Sequence, residues 1–214
     1  MIKNILNKLK SITQKSFKGS INSRNIDSWL KINSGDIAID CGANIGDVTE
    51  KIARMGAFVY AFEPNPYAFE FLKERMDSFD NVQCINKAVW IEDGIMPLYL
   101  HKNSEENKIY WSSGSSLSLE KSNIDIDSFV KVETIDLSRF IKDIGKEINF
   151  LKIDIEGAEC EVVEKLLDER VVNLVKNIVV ETHDNKYSNF RKKTQSLRDR
   201  IKKEGFRNIR MDWE

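Results

Sequence analysis

Short apolar runs alternate with amphipathic segments along most of the chain. The apolar runs have the length of strands and lie at residues 37–39, 57–62, 82–86, 150–155, 177–181 and 206–210. Between most of them, apolar residues recur at helical spacing, at residues 48–55, 66–79, 137–144, 162–167 and 190–201. This succession predicts an α/β fold, a three-layer sandwich whose mainly parallel sheet lies between two layers of helices.

Two stretches depart from this alternation. Residues 88–91 and 95–100 flank Glu92-Asp93-Gly94, which predicts a β-hairpin with an Asp-Gly turn. Pro97 would restrict its second strand to the edge of a sheet. Residues 101–128 are polar and rich in serine, and they predict a long loop before the next strand at 129–134. A loop of that length in a compact domain is usually either functional or disordered.

The first 28 residues form a basic amphipathic segment, predicted to be helical and to precede a domain over residues 29–214. It has no acidic residue before Asp27, and Ile2, Ile5, Leu6 and Leu9 form an apolar stripe. We expect the stripe to pack on a protein domain, because it lacks the aromatic bulk of a good membrane anchor. Peripheral contact of residues 1–18 with an anionic membrane is the alternative.

Composition excludes several classes of protein. With 214 residues, of which 41% are hydrophobic, the chain suits one globular domain with a sizeable core. A net charge of −1 argues against non-specific binding to nucleic acid. The three cysteines lack metal-site spacing and predict reduced thiols in a cytoplasmic protein. No apolar run approaches the roughly 20 residues of a membrane span.

Residues 36–65 carry the pattern of a nucleoside-binding unit. An apolar strand ends at Asp40, Gly42 and Gly46 follow in a tight turn, and a helix begins after them. The next strand delivers Glu63, at the distance where an acid accepts hydrogen bonds from ribose hydroxyls. The turn lacks the third glycine that shapes a pyrophosphate site. S-adenosylmethionine, which has no phosphate, therefore suits the pattern better than a nicotinamide dinucleotide.

Polar side chains follow the predicted strands at their carboxyl ends, where ligands bind to parallel α/β sheets. The residues in question are Asp40, Glu63, Asn86, Asp154, Glu156, Glu181 and His183. A single acid at a strand end commonly caps a helix or is simply hydrated. Their shared position on one rim nevertheless predicts an active site there.

Several of these stretches together resemble the signature segments of FkbM-family methyltransferases. They are Asp40-Cys-Gly-Ala-Asn-Ile-Gly-Asp-Val-Thr49, Ala61-Phe-Glu-Pro-Asn-Pro66, Ser115-Ser116, Val132-Glu-Thr-Ile-Asp-Leu137 and Phe150-Leu-Lys-Ile-Asp-Ile-Glu-Gly-Ala-Glu159. The resemblance covers about residues 33–183. It implies a class I methyltransferase that uses S-adenosylmethionine, commonly on hydroxyl groups of sugars, glycans or secondary metabolites.

The resemblance also implies roles for individual residues. Cofactor contacts are expected from Asp40, Gly42, Ala43, Asn44, Gly46, Thr49, Glu63, Pro64, Asn65, Asn86 and Ala88, with Glu63 binding the ribose and Asn86 to Ala88 near the adenine. Contacts to a small-molecule or glycan acceptor are expected from Ser115, Ser116 and Glu181. The paired serines would bring part of the loop 101–128 over the active site.

Methylation of a hydroxyl requires that its proton be removed during or after transfer. His183 is the first candidate for that base, since its ordinary titration range suits neutral pH, although it could equally be a histidine that only makes a hydrogen bond. Asp154 and Glu156 complete the predicted catalytic set, where they would orient the acceptor. A divalent cation bound by these two acids is the alternative, but two acids and one histidine do not define a metal site.

Class I methyltransferases usually end in a hairpin of two strands, whereas this sequence stops at Glu214, just after what resembles the first of them. We therefore expect the final strand to be missing or replaced. An open sheet edge there would favour oligomerisation. Two other functions remain open at this point: a cofactor-binding scaffold without catalytic activity, and a nicotinamide-dependent enzyme.

Overall fold

Nine strands organise the computed structural model, which describes residues 31–184 and 190–213. They are β1 (Ile37–Cys41), β2 (Phe58–Phe62), β3 (Val82–Ile85), β4 (Ala88–Trp90), β5 (Gly94–His101), β6 (Ile124–Asp136), β7 (Phe150–Ile153), β8 (Ile178–Glu181) and β9 (Ile209–Trp213). Six of them form one sheet in the order β3-β2-β1-β7-β8-β9, and every neighbouring pair is parallel. The predicted parallel α/β architecture is confirmed.

Five α-helices accompany the strands within the described residues. They are α1 (Asp47–Arg54), α2 (Pro66–Met76), α3 (Leu137–Ile144), α4 (Glu159–Asp168) and α5 (Arg191–Glu204). The starts of α2 and α3 follow from side chains just before them. Asn65 Oδ1 accepts the backbone N–H of Tyr67, and Asp136 Oδ1 accepts that of Arg139.

Alternating residues of β2 show how helices cover both faces of the sheet. Phe62 packs edge-to-face on Phe140 of α3, in the same apolar cluster as residues of α4 and α5. Its neighbour Ala61 points the other way and packs against Leu72 and Met76 of α2. The core therefore lies in two layers, one on each side of the sheet.

The predicted hairpin of β4 and β5 is wrong. These strands do not pair with each other, because β6 lies between them in a second sheet of order β4-β6-β5. The Asp-Gly turn is instead bound to the end of β6: Thr134 Oγ1 donates to the carbonyl of Glu92, and Asp93 accepts the N–H of Asp136. The local turn signal was correct, but a strand distant in sequence took the pairing position.

The predicted loop 101–128 is shorter and more ordered than expected. Residue 101 ends β5, and β6 begins at Ile124, so the connection spans residues 102–123, named here the covering segment. It contains a 3-10 helix at Tyr110–Gly114. Tyr99 of β5 exchanges two backbone hydrogen bonds with Ser116. Because Ser112, Ser115, Ser116 and Lys121 are buried, the segment packs against the domain.

The far edge of the sheet is formed by β9, which pairs in parallel with β8. It starts three residues later than the strand predicted at 206–210. Within residues 31–184 and 190–213, no strand follows it. Ile32–Trp213 forms one compact unit. The second unit consists of Met1–Lys31 with Glu214, and only Lys31 of it belongs to the described residues. The predicted segment 1–28 also lies outside the described residues. None of the described helices is long and apolar enough to span a membrane.

Candidate functional site

The turn between β1 and α1 is built on close backbone contacts. Gly42 has a φ of +80°, and both it and Ala43 donate their N–H groups to the carbonyl of Phe62. A Cβ atom on Gly42 would lie 1.8 Å from the carbonyl oxygen of Asp154. Glycine is therefore required here by contact with the end of β7.

The side chain of Lys152 holds this turn in place. Its buried Nζ donates to the carbonyl of Gly42 at 3.0 Å and lies 3.1 Å from Asp154 and 3.3 Å from Asp40. Burial alone would lower the pKa of this ammonium, but the two carboxylates raise it above its ordinary value. Asp40 is fully buried and also accepts the hydroxyl of Thr49 at 2.7 Å. Asp40 and Thr49 thus support the turn through Lys152.

Glu63, at the end of β2, is held by backbone N–H groups. One carboxylate oxygen accepts from Asn44 and the other from Asn65, each at 2.8 Å. The carboxyl is only 6% exposed, and burial raises its pKa to about 7 despite these hydrogen bonds. Asn86 supports the same stretch, since its side-chain amide donates to the carbonyls of Glu63 and Pro64. The acid is thereby oriented before any ligand arrives.

A pocket of about 600 Å³, including its open mouth, lies over the carboxyl ends of β1, β2 and β7. Its lining consists of Gly42, Asn44, Phe62, Glu63, Pro64, Ala88, Val89, Leu98, Ser112, Ser113, Ser115, Leu117, Asp154, Ile155 and Glu156. Among these described lining residues, three are acidic and none is basic. The pocket therefore combines an apolar wall with a negative floor.

Three serines of the covering segment bind residues around the pocket. Asn44 donates its side-chain amide to Ser112 at 3.4 Å, and Asn65 donates to Ser115 at 3.2 Å. Ser116 donates its hydroxyl to the carbonyl of Glu156 at 2.6 Å. The segment thereby joins the residues that hold Glu63 to the loop after β7.

Glu156 has a backbone conformation that is unusual for a residue with a side chain. Its φ is +58°, and its carboxylate lies 2.5 Å from Nζ of Lys121 and 3.1 Å from Nε2 of His183. Burial would raise the pKa of this carboxyl, but His183 and Lys121 hold it down at about 2. The side chain is therefore a carboxylate fixed between two cations.

His183, which follows β8, lies beneath Glu156 and is 2% exposed. Its Nδ1 is 3.3 Å from Glu159 and its Nε2 is 3.9 Å from Glu181. Burial would lower the pKa of the ring, but Glu156 and Glu159 raise it to about 10. The two carboxylates therefore favour the charged form of the ring.

Glu159 has a structural task besides its contact with His183. Its carboxylate accepts the backbone N–H groups of Ile155 and Gly157, at 3.0 to 3.1 Å. Gly157 has a φ of +110°, so this carboxylate stabilises a sharply turned loop between β7 and α4. The turn sets the positions of Asp154 and Glu156 relative to the pocket.

A model of the Methyltransferase FkbM domain matches residues 40–208 of this chain. That range includes the turn after β1, Glu63, the covering segment and the cluster around His183. The chain belongs to the FkbM methyltransferase family. The resemblance stated from the sequence motifs is thus confirmed.

Two fungal methyltransferases are similar to this FkbM domain. Methyltransferase sdnD from Sordaria araneosa is 30% identical over 176 residues, covering 70% of this chain and 67% of its own length. Methyltransferase 1 from Beauveria bassiana is 29% identical over 162 residues, covering 69% of this chain and 65% of its own. The chain thus spans about two thirds of the length of these relatives.

Two solved structures match the chain at lower identity. The precorrin-8w decarboxylase of Methanobacterium thermoautotrophicum has a TM-score of 0.38 at 16% identity, covering 67% of this chain and 53% of its own. An rRNA methylase from Streptococcus thermophilus has a TM-score of 0.35 at 15% identity, covering 64% of this chain and 57% of its own.

The FkbM family implies S-adenosylmethionine as cofactor, and the pocket suits this molecule. Each oxygen of Glu63 already accepts one backbone N–H and keeps a lone pair that a ribose hydroxyl could use. Ala88, Val89 and Leu98 offer an apolar wall for a base. The acidic side chains suit a ligand with a sulfonium and an ammonium group, whereas none of the described lining residues offers a cation to the pyrophosphate of a nicotinamide dinucleotide.

The predicted site residues of the FkbM domain fall into two groups. Those that line the pocket are Gly42, Asn44, Glu63, Pro64, Ala88, Ser115, Asp154 and Glu156. Asp40, Ala43, Gly46, Thr49, Asn65, Asn86, Ser116, Glu181 and His183 are not among its described lining residues. At least five of these nine, namely Ala43, Asn65, Asn86, Ser116 and His183, instead contact residues that do. Their predicted roles in binding and catalysis stay predictions.

Two lysines and one serine are among the residues that sequence reasoning missed. Lys152 lay within a quoted motif but was given no role, although a lysine inside an apolar strand is a signal for a buried ion pair. Ser112 and Lys121 lie in a polar stretch where nothing distinguishes them from solvated residues. Only the fold brings them to Asn44 and Glu156.

Proposed function

We propose that this FkbM domain transfers a methyl group from S-adenosylmethionine to a hydroxyl of a sugar, glycan or secondary metabolite. The observation that carries this proposal is that Asp154 and Glu156 line the same pocket as Gly42 and Glu63. When bound, the cofactor supplies an electrophilic methyl group on sulfur. What the protein must add is a fixed position for an oxygen nucleophile and a destination for its proton.

Binding of the nucleoside end is assigned to Glu63 and the apolar wall. The two backbone N–H groups from Asn44 and Asn65 hold the carboxylate in place, so little order has to be gained when the ribose binds. The hydrogen bonds from Asn44 and Asn65 to the covering segment connect this end of the pocket with the acceptor end.

Asp154 is the residue that we assign to the acceptor hydroxyl. It lines the pocket, and its ion pair with Lys152 fixes the side chain while one carboxylate oxygen stays available. It can accept the hydrogen bond of the hydroxyl and take its proton as the carbon–oxygen bond forms. Glu156 is less suited, because Lys121 and His183 already bind its carboxylate.

His183 is assigned a supporting role in this scheme, which revises its expected role as the base. Its ring lies beneath Glu156 and holds a proton at neutral pH, since two carboxylates stabilise the charged form. Its contribution would be to fix the carboxylate of Glu156 next to the acceptor.

Titration calorimetry with S-adenosylhomocysteine tests the cofactor half of the proposal. We expect micromolar binding, weakened at least about tenfold in Glu63→Gln because a ribose partner is lost, and nearly unchanged in Asp154→Asn. Tighter binding of NADH than of S-adenosylhomocysteine would contradict the proposal.

Transfer of a labelled methyl group to hydroxylated and amino acceptors of matched skeleton tests the other half. Only hydroxylated acceptors should be labelled, and Asp154→Asn should reduce the rate by about a hundredfold or more. Cofactor binding without transfer to any acceptor class would favour a scaffold without catalytic activity. Labelling of amines alone would contradict the choice of oxygen as nucleophile.

A further inference from the structure

Three potential metal ligands from three elements converge next to the pocket. Asp154 follows β7, Glu159 begins α4 and His183 follows β8. One ligand atom from each lies within 4.8 Å of the other two. Opposite ligands of one ion with bonds of about 2.2 Å are roughly 4.4 Å apart, so small movements would suffice to bring all three to a common ion.

His183 is the observation that distinguishes this cluster from an ordinary group of acids. The ring is 2% exposed, and within the part of the chain that the structure describes neither nitrogen has a hydrogen-bond partner of good geometry. Both nitrogens point at carboxylates, at 3.1 Å and 3.3 Å. Buried imidazole nitrogens almost always have a partner, and a bound cation among these groups would provide one.

The balance of charge around the His183 ring also favours a bound cation. Four carboxylates meet here, those of Asp154, Glu156, Glu159 and Glu181. Lys121 balances Glu156, whereas Lys152 is shared between Asp154 and Asp40. Even with a protonated ring, the negative charges of Asp40, Asp154 and Glu159 exceed the positive charges of Lys152 and His183.

We propose that Asp154, Glu159 and His183 bind one divalent cation beside the methyl-transfer pocket. Two carboxylate oxygens and one imidazole nitrogen suit Mn²⁺ and similar ions, which accept both ligand types. Asp154 lines the pocket, so an ion on its carboxylate would have open positions on that side. On the proposed function, a hydroxylated acceptor would occupy one of them and become more acidic.

Binding of Mn²⁺ to the full chain, freed of metal with EDTA, tests the site directly. Calorimetry and electron paramagnetic resonance should show one strongly bound ion in the unmodified protein. Asp154→Asn and His183→Gln should each weaken binding at least about tenfold. Glu161→Gln is the matched control, because Glu161 lies two residues from Glu159 on the same helix and pairs with Lys193 instead.

A spectroscopic measurement decides the matter even if a variant fails to fold. Electron spin echo modulation of bound Mn²⁺ should show coupling to an imidazole nitrogen in the unmodified chain. No binding at millimolar Mn²⁺, binding without nitrogen coupling, or equal weakening by Glu161→Gln would each overturn the proposal.

Titration with S-adenosylhomocysteine in EDTA keeps this result separate from the proposed function. If the cofactor product binds without metal but no Mn²⁺ binds, the metal site fails alone. If one Mn²⁺ binds with nitrogen coupling while no cofactor binds and no methyl group is transferred, the proposed function fails and the metal site stands.

Discussion

Gly42 touches the carbonyl oxygen of Asp154 so closely that a Cβ atom on the glycine would lie 1.8 Å from that oxygen. The turn after β1 and the end of β7 are therefore in direct backbone contact. Gly42→Ala should lower the free energy of unfolding, measured by urea denaturation, and weaken binding of S-adenosylhomocysteine.

Gly35→Ala is the control for this variant. Gly35 has a φ of +87°, similar to the +80° of Gly42, but a Cβ atom there would meet nothing within 4 Å. Both variants carry the cost of a left-handed backbone, and only Gly42→Ala adds the collision. We expect the difference between them to be about 1–3 kcal/mol. Equal losses of stability would contradict the contact.

The affinity for S-adenosylhomocysteine should depend on the ionisation of Glu63. Burial raises the pKa of this carboxyl to about 7 in the free protein, and ribose hydroxyls donate hydrogen bonds to the ionised form. The affinity should therefore increase with pH, by about tenfold between roughly pH 6 and roughly pH 8. Calorimetry over this range measures it. In Glu63→Gln the affinity should be lower and nearly independent of pH.

Lys121 should control both the covering segment and turnover. Lys121→Met removes a buried cation 2.5 Å from Glu156 and 3.2 Å from the carbonyl of Gly114. We expect faster proteolysis within residues 102–123 and a loss of turnover of about tenfold or more, because the carboxylate is no longer fixed. Lys102→Met is the control, since Lys102 binds the carbonyl of Ser122 at an exposed position of the same segment. Similar proteolysis of both variants would contradict a special role.

The ion pair of His183 and Glu156 should give the metal-free protein a window of greatest stability. The pKa of His183 is raised from 6.5 to about 10, so its contribution is complete below about pH 6.5 and disappears as the pH approaches 10. The pKa of Glu156 is lowered from 4.5 to about 2, so its contribution is complete above about pH 4.5 and disappears as the pH falls towards 2.

Urea denaturation in EDTA across this range tests the window. His183→Gln should lower the free energy of unfolding by about 3 kcal/mol near pH 6, and by much less near pH 10. His101→Gln, a substitution of the other histidine, should leave the decrease towards pH 10 unchanged, because the pKa of His101 is lowered from 6.5 and its titration lies on the acidic side. A loss for His183→Gln that does not vary with pH would mean that packing, and not charge, explains the role of the ring.

Local signals in the sequence were sufficient for the central sheet. Apolar runs marked the parallel strands, and Asn65 and Asp136 marked two helix starts, because capping depends on residues only a few positions away. The predicted pairing of β4 with β5 was wrong because the true pairing depends on residues far apart in sequence. Asp136 of their partner β6 pairs with Trp90 of β4, 46 residues earlier in the chain, and no local pattern reports such a distant contact.

The residues of the candidate site show the same difference between local signals and long-range contacts. Glu63 and Asp154 end strands, and their place at the pocket follows from strand direction alone. Lys121 could not be found, since its approach to Glu156 depends on how residues 102–123 fold back over the sheet. His183 was found, but its burial beneath Glu156 depends on α4 and the loop before it.

The covering segment and the second sheet lie in a single stretch of chain, residues 86–136, which leaves the central sheet after β3 and returns at α3. Asn86 anchors one end to the backbone of Glu63, and Asp136 anchors the other by capping α3. We expect that the stretch between Asn86 and Asp136 can be replaced as a unit by the corresponding stretch of a relative. Recombination among relatives at these two points would change the acceptor end of the pocket together with the apolar wall of Ala88, Val89 and Leu98, while Gly42, Glu63 and the order of the central sheet stay in place.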